Sequence, residues 1–99
     1  MATSHLSLKR IFNRYNRKYF NCELKADVQW RPLNTCSGIA YPNQGLICID
    51  TGLMGYPKLL NATMLHEMVH LKHPRANHGK VFWREMDRLW LAGAFRKLL

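Results

Sequence analysis

Pro57-Lys58-Leu59-Leu60-Asn61-Ala62-Thr63-Met64-Leu65-His66-Glu67-Met68-Val69-His70-Leu71-Lys72 runs into His73-Pro74 and, a short loop later, His78. Pro57 suits the first turn of a helix, where its missing N–H leaves nothing unpaired. Pro74 prevents the helix from simply continuing. The segment therefore predicts a helix from about Pro57 to Lys72, with Leu60, Met64 and Met68 or Leu71 forming its buried stripe. On another face His66 and His70 stand one turn apart, where two imidazoles can hold one Zn²⁺. Glu67 points toward the same ion, placed to take a proton from water that the ion activates. In a helix this apolar, a carboxylate with no such purpose would be costly to bury.

A catalytic zinc takes three protein ligands and keeps one position open, so one zinc per chain needs a third donor. His73 shares the helix face, but at 1.5 Å per residue it lies about 10 Å from His66 along the axis. Zinc–nitrogen bonds are about 2 Å, too short to span that gap. His73 is instead expected to be a polar residue at the helix C-terminus, where a protonated imidazole is favoured by the dipole. His78 lies past the Pro74 break, where the chain can turn back over the site. It is preferred over Glu85, Asp87 and Asp50.

Working outward, a further helix starts near Gly79 or Lys80, with Phe82, Met86, Leu89 and Trp90 on one face and Gly93 as its stop. Upstream, Val28-Gln29-Trp30 is a short β-rich run that ends at Pro32. Ser37 to Tyr41 and Leu46 to Asp50 flank Pro42-Asn43-Gln44-Gly45, a hairpin signature. Before these, Leu8, Ile11, Phe12, Tyr15 and Tyr19 make one apolar stripe of a helix from Ser7 to Phe20, with Ser4 or Ser7 as cap. The class is α+β, a minimal zincin. It comprises an N-terminal helix, a three-stranded antiparallel-type sheet with a hairpin, the HExxH helix and a C-terminal helix.

The chain has 99 residues, expected to form a single domain over 1–99. No apolar run approaches the roughly 20 residues of a membrane span, and Met1 to Lys9 has no apolar core of a signal peptide. Cys22, Cys36 and Cys48 are odd in number and widely spaced. They fit neither a disulfide framework nor a cysteine zinc site, and read as small buried or half-buried residues in a reducing compartment. A cytoplasmic location, including the nucleoid or nucleus, is therefore expected, without secretion. Fifteen Lys and Arg against six Asp and Glu give a net charge of +9. Such a surface attracts polyanions, nucleic acid above all.

Several segments in order resemble the SprT-like family of zinc metalloproteases, which includes Spartan. They are Asn13 to Asn21 with Glu23-Leu24, Val28-Gln29-Trp30, Cys36 to Tyr41, Ile47-Cys48-Ile49, Leu65 to His70, His78-Gly79 with Phe82, and Met86 with Ala92 to Phe95. HExxH alone occurs in many unrelated peptidases; the ordered set is specific. The resemblance implies that His66, His70 and His78 bind zinc and that Glu67 is the catalytic base. It also implies proteolysis of proteins on DNA, including DNA–protein crosslinks, with DNA as activator. The interval from His70 to His78 is shorter than in Spartan or in bacterial SprT proteins, and nothing like their C-terminal four-cysteine ribbon follows.

The residues suggest finer assignments. Ser37 to Tyr41 is the expected sheet edge on which an extended peptide substrate pairs. Tyr41 is then a candidate to polarise the substrate carbonyl, against the plainer role of a packed aromatic. Lys9, Arg10, Arg14, Arg17 and Lys18 fill the polar faces of the first helix and are candidates for DNA contact, single-stranded DNA included; a solvated face explains them equally well. Trp83 and Trp90 read as core, although Trp83 or Trp30 can stack on an unpaired base. Two alternatives remain: a DNA-binding module whose zinc is structural and which cleaves nothing, or a small metallopeptidase that processes one acidic partner protein.

Overall fold

The computed structural model describes residues 5–75, 77–96 and 98. Elements follow the predicted order: α1 (His5–Tyr19), β1 (Asp27–Arg31), β2 (Gly38–Tyr41), β3 (Leu46–Asp50), α2 (Pro57–Lys72) and α3 (Lys80–Leu91). Of the two proposed caps of α1, Ser7 falls inside the helix and Ser4 lies outside the described residues. Pro57 opens α2 as expected. The stop of α3 is a Schellman turn: Gly93 adopts φ 89°, Ala94 N–H donates to Leu89 at 3.0 Å and Gly93 N–H to Trp90 at 3.0 Å. Among the described residues no helix is long and apolar enough to cross a membrane.

The sheet corrects one expectation. It is mixed rather than antiparallel, with order β1-β3-β2, β1 running parallel to β3 and β2 antiparallel to it. The hairpin is local, and its short turn around Pro42–Gln44 dictates an antiparallel pair. The direction of β1 depends on the chain crossing from Arg31 to Gly38 past the place β3 will take, and no residue pattern encodes that choice.

Side-chain parity assigns the two faces. Val28, Ile47 and Ile49 are fully buried in the main core with Leu8, Phe12, Met64, Leu65 and Phe82. Register puts Gly38 and Ala40 on that same face and Ile39, Tyr41 and Cys48 on the other. Helix α1 packs on β1, and α2 packs on β2 and β3. Gly38 makes the α2 contact close: a Cβ there would meet Thr63 Cγ2 at 2.8 Å and Glu67 Cγ at 3.1 Å. Of the cysteines, Cys48 is buried, whereas Cys22 and Cys36 are exposed, not buried or half-buried as expected; all three are free.

A buried carboxylate ties the helices together. Glu85, 7 % exposed, sits on the inner face of α3. It accepts from Lys72 Nζ at 3.1 Å, from Arg88 Nε at 3.0 Å, and again from Arg88 Nη2. Arg88 Nη2 also donates to the Tyr19 carbonyl at 2.9 Å, and both cations lie over the Phe20 ring. Burial raises the Glu85 pKa, but the hydrogen bonds and charges of Arg88 and Lys72 outweigh it and bring it down to about 2.

A carboxylate with a folded pKa below its unfolded one stabilises the fold above the unfolded value, and that stability is lost as pH falls toward the folded one. For Glu85 the window runs from 4.5 down to about 2. Urea unfolding across this window should show a loss on the order of 2 kcal/mol through this group, and a flatter profile in Glu85→Gln. Parallel profiles for the two proteins would show that the cluster contributes nothing.

Candidate metal centre

The last turns of α2 carry His66, Glu67 and His70, and the chain leaving the helix returns over them. The helix ends at Lys72 with His73 as its C-cap, whose N–H donates to Val69 at 2.9 Å. Asn77, in the left-handed region at φ 49°, then turns the backbone so that His78 faces the helix. His78 Nε2 lies 3.1 Å from His70 Nε2 and 3.3 Å from His66 Nε2. Bonds of about 2.05 Å at tetrahedral angles would set zinc-bound nitrogens roughly 3.3 Å apart. The three donors therefore fit a single zinc ion with a fourth position left open. His73 is not part of this group; its Nε2 is 3.5 Å from Glu85, at the far side of the helix end.

Phe82 holds the three rings in place. Fully buried, it lies 5.0 Å from the His66 ring, 4.7 Å from that of His70 and 4.8 Å from that of His78, centroid to centroid. An aromatic under all three imidazoles limits their rotation, so the Nε2 atoms converge before a metal arrives. The sequence placed Phe82 in the α3 stripe and, by resemblance, beside the third ligand. Its role as a common support has only one sequence signal, its position one turn after His78.

The electrostatics suit a cation. Burial lowers the pKa of His66 to about 4, helped by the nearby His70 and His78. Burial also lowers that of His70, with His78 adding to the effect. Imidazoles that resist protonation keep their lone pairs for a metal. Glu67 is 6 % exposed, and burial raises its pKa to about 7, partly offset by a hydrogen bond from the Ala40 backbone. A carboxyl poised near neutrality is the form a general base takes.

A cleft of about 650 Å³ opens beside these groups. One wall is β2 from Gly38 to Ala40 with Ser37 before it; the other is α2 from Ala62 to His70, with Pro74, Asn77 and His78 at one end. β2 pairs with β3 alone, so it is the sheet edge on the cleft side. Tyr41 is half-buried and does not line the cleft, and its place in the pleat puts it on the sheet face away from α2.

The basic residues of α1 are not brought to the cleft, and several are engaged locally. Lys9 Nζ donates to the Ala26 carbonyl at 2.7 Å and lies over Phe12. Arg14 donates to Asn61 at 3.1 Å and lies over Tyr15, and Lys18 lies over Tyr19. Arg10 and Arg17 are exposed. The tryptophans differ from expectation more sharply. Trp83 and Trp90, expected in the core, are 54 % and 55 % exposed; each follows a buried residue, Phe82 or Leu89, by one position, a step of about 100° that carries it off the inner face of α3. Trp30 is half-buried, with its indole N–H enclosed.

The model of the SprT-like family matches residues 8–95. Among solved structures, the metallopeptidase zymogen abylysin of Pyrococcus abyssi superposes with a TM-score of 0.74 at 18 % identity, over 92 % of this chain and 87 % of that one. The metallopeptidase zymogen jannalysin of Methanocaldococcus jannaschii gives a TM-score of 0.66 at 20 % identity, over 93 % of this chain and 97 % of that one. At these identities the likeness is one of fold. No curated protein matches the chain in sequence.

Proposed function

This chain belongs to the SprT-like family and is a zinc metalloprotease, and we propose that it is an endopeptidase cleaving proteins associated with DNA, with His66, His70 and His78 holding the zinc and Glu67 as general base. The observation that carries the reading is three imidazole Nε2 atoms converging beside a buried carboxylate on the wall of an open cleft.

When bound, zinc supplies Lewis acidity, drawing electron density from the scissile carbonyl and making water a nucleophile near neutral pH. The chain's own residues do the rest. An extended peptide pairs with the free edge of β2, which fixes its carbonyl against the three-histidine face. Glu67 takes the proton of the attacking water and passes it to the leaving amine. The Ala40 N–H holds the carboxylate toward the cleft, and the closeness that Gly38 permits between β2 and α2 keeps base and peptide within reach.

A net charge of +9 supports the choice of DNA-associated substrates, since a polyanion carrying the substrate would concentrate it at the enzyme. The test is cleavage of a histone by the zinc-loaded protein, with and without DNA and at rising salt. Histone cleavage should accelerate with DNA, and the acceleration should fade as salt screens the contacts. Equal rates with and without DNA would leave the peptidase and remove its DNA-associated substrate. Absence of cleavage of histone and casein alike would remove the endopeptidase.

A further inference from the structure

α3 presents an unusual outer face. Trp83 and Trp90 are both more than half exposed and stand two turns apart, about 10 Å along the axis. Tryptophan is enriched at interaction surfaces, where one end of the ring is apolar and the other wet. Cations lie between and beyond them. Lys80 and Arg84 share with Trp83 a hollow of about 560 Å³ that begins at His78, beside the metal centre. Arg96 shares with Trp90 a smaller hollow, and its other side lines a second one of about 560 Å³ together with Arg14 and Lys18. Asp87 is the acidic residue on this path, and no carboxylate lines either hollow at Arg96. Among the described residues, none of these cations has an ion-pair partner.

We infer that this face is a track for single-stranded nucleic acid, with bases stacked on Trp83 and Trp90 and phosphates met by Lys80, Arg84 and Arg96. The inference rests on the nucleic-acid part of the function proposed above and says where that ligand lies. Alternating flat aromatics and cations match a chain that alternates exposed base faces with phosphates. A duplex hides its base faces and would leave the indoles unused. A lipid surface would be met by a continuous apolar face, whereas Arg84 and Asp87 interrupt this one. The track starts at His78, so a strand lying on it would hold an attached protein against the mouth of the cleft. It also shifts the DNA contacts away from α1, where Lys9 and Arg14 are already engaged.

The test is binding of a fluorescent oligothymidylate to the zinc-loaded protein at fixed salt, followed by anisotropy. Trp83→Ala with Trp90→Ala should weaken binding by about tenfold or more, and the double Phe variant should keep most of it, because phenyl rings still stack. Arg10→Ala with Arg17→Ala should bind within about twofold of wild type. Melting temperature checks that the exposed substitutions leave the fold intact. If the Ala variant binds like wild type while the Arg10/Arg17 variant does not, the track is wrong and the DNA reading survives. If the wild type binds no oligothymidylate, both fall. If the indoles instead govern sedimentation with anionic phosphatidylserine vesicles, or a monomer–dimer equilibrium, and leave oligothymidylate affinity unchanged, the occupant is a membrane or a second copy and the inference is overturned.

Discussion

Glu67→Gln is expected to keep its zinc and to lose peptide hydrolysis by about three orders of magnitude, within the 10²–10⁴-fold range that a positioned general base contributes. The amide has the size and shape of the carboxyl but cannot accept a proton from water. It is not a ligand in the proposed site, so the three imidazoles remain to hold the ion. The fold should not suffer either. Burial raises the Glu67 pKa from 4.5 to about 7, so the carboxyl ionises in the folded chain against a penalty. A raised folded pKa means stability is lost as pH climbs from the unfolded value to the folded one. Gln removes that loss, and the metal-free variant should melt no lower than wild type at mildly alkaline pH. Zinc content, casein cleavage and melting temperature on the same preparations decide the matter. A variant with full zinc and activity within about tenfold of wild type would take the base role from Glu67.

His78→Ala is expected to abolish stoichiometric zinc binding, and His73→Ala to leave it intact. Two histidines of one helix turn can hold an ion only with solvent completing the shell. The third imidazole closes the site and does so from a preformed position, against the Phe82 ring at 4.8 Å. Its loss should exceed the 10–100-fold that losing even an outer-shell partner costs in metal affinity. In stability terms, zinc at about 1,000 times its dissociation constant adds roughly 4 kcal/mol to the fold. The fall in melting temperature on adding chelator should therefore be large in wild type and His73→Ala, and nearly absent in His78→Ala. Zinc retained at one per chain in His78→Ala would mean that the third donor lies elsewhere.

The contrast between His73 and His78 shows how much of the site was legible before the fold was known. His66, Glu67 and His70 are placed by helix geometry alone, and the rise per residue with Pro74 excludes His73. That His78 returns to the same point needs the turn at Asn77 and the packing of Phe82, but the short loop leaves the chain few other paths. Phe82 itself was visible only as one apolar residue of a stripe. Tyr41 was named because it ends the strand expected to be the edge on which substrate pairs, and its place in the pleat puts its side chain on the face away from α2.

What the sequence determined by itself is therefore local. It set the element order, the start and stop of α2 and α3, the hairpin, and the placing of His66, Glu67 and His70 on one helix turn, because each follows from interactions within a few residues along the chain. Tertiary structure decided what depends on contacts between distant segments. It set β1 parallel to β3, brought Phe82 under all three histidines, and drew Lys72 and Arg88 together on Glu85. It also left Trp83 and Trp90 on the outer side of α3, with Phe82 and Leu89 filling the inner face beside Glu85. A helix wheel ranks those indoles as core because it weighs hydrophobicity one residue at a time. Glu85 is kept inside by Arg88, one turn along the same helix, and by Lys72 from α2, which the wheel does not contain.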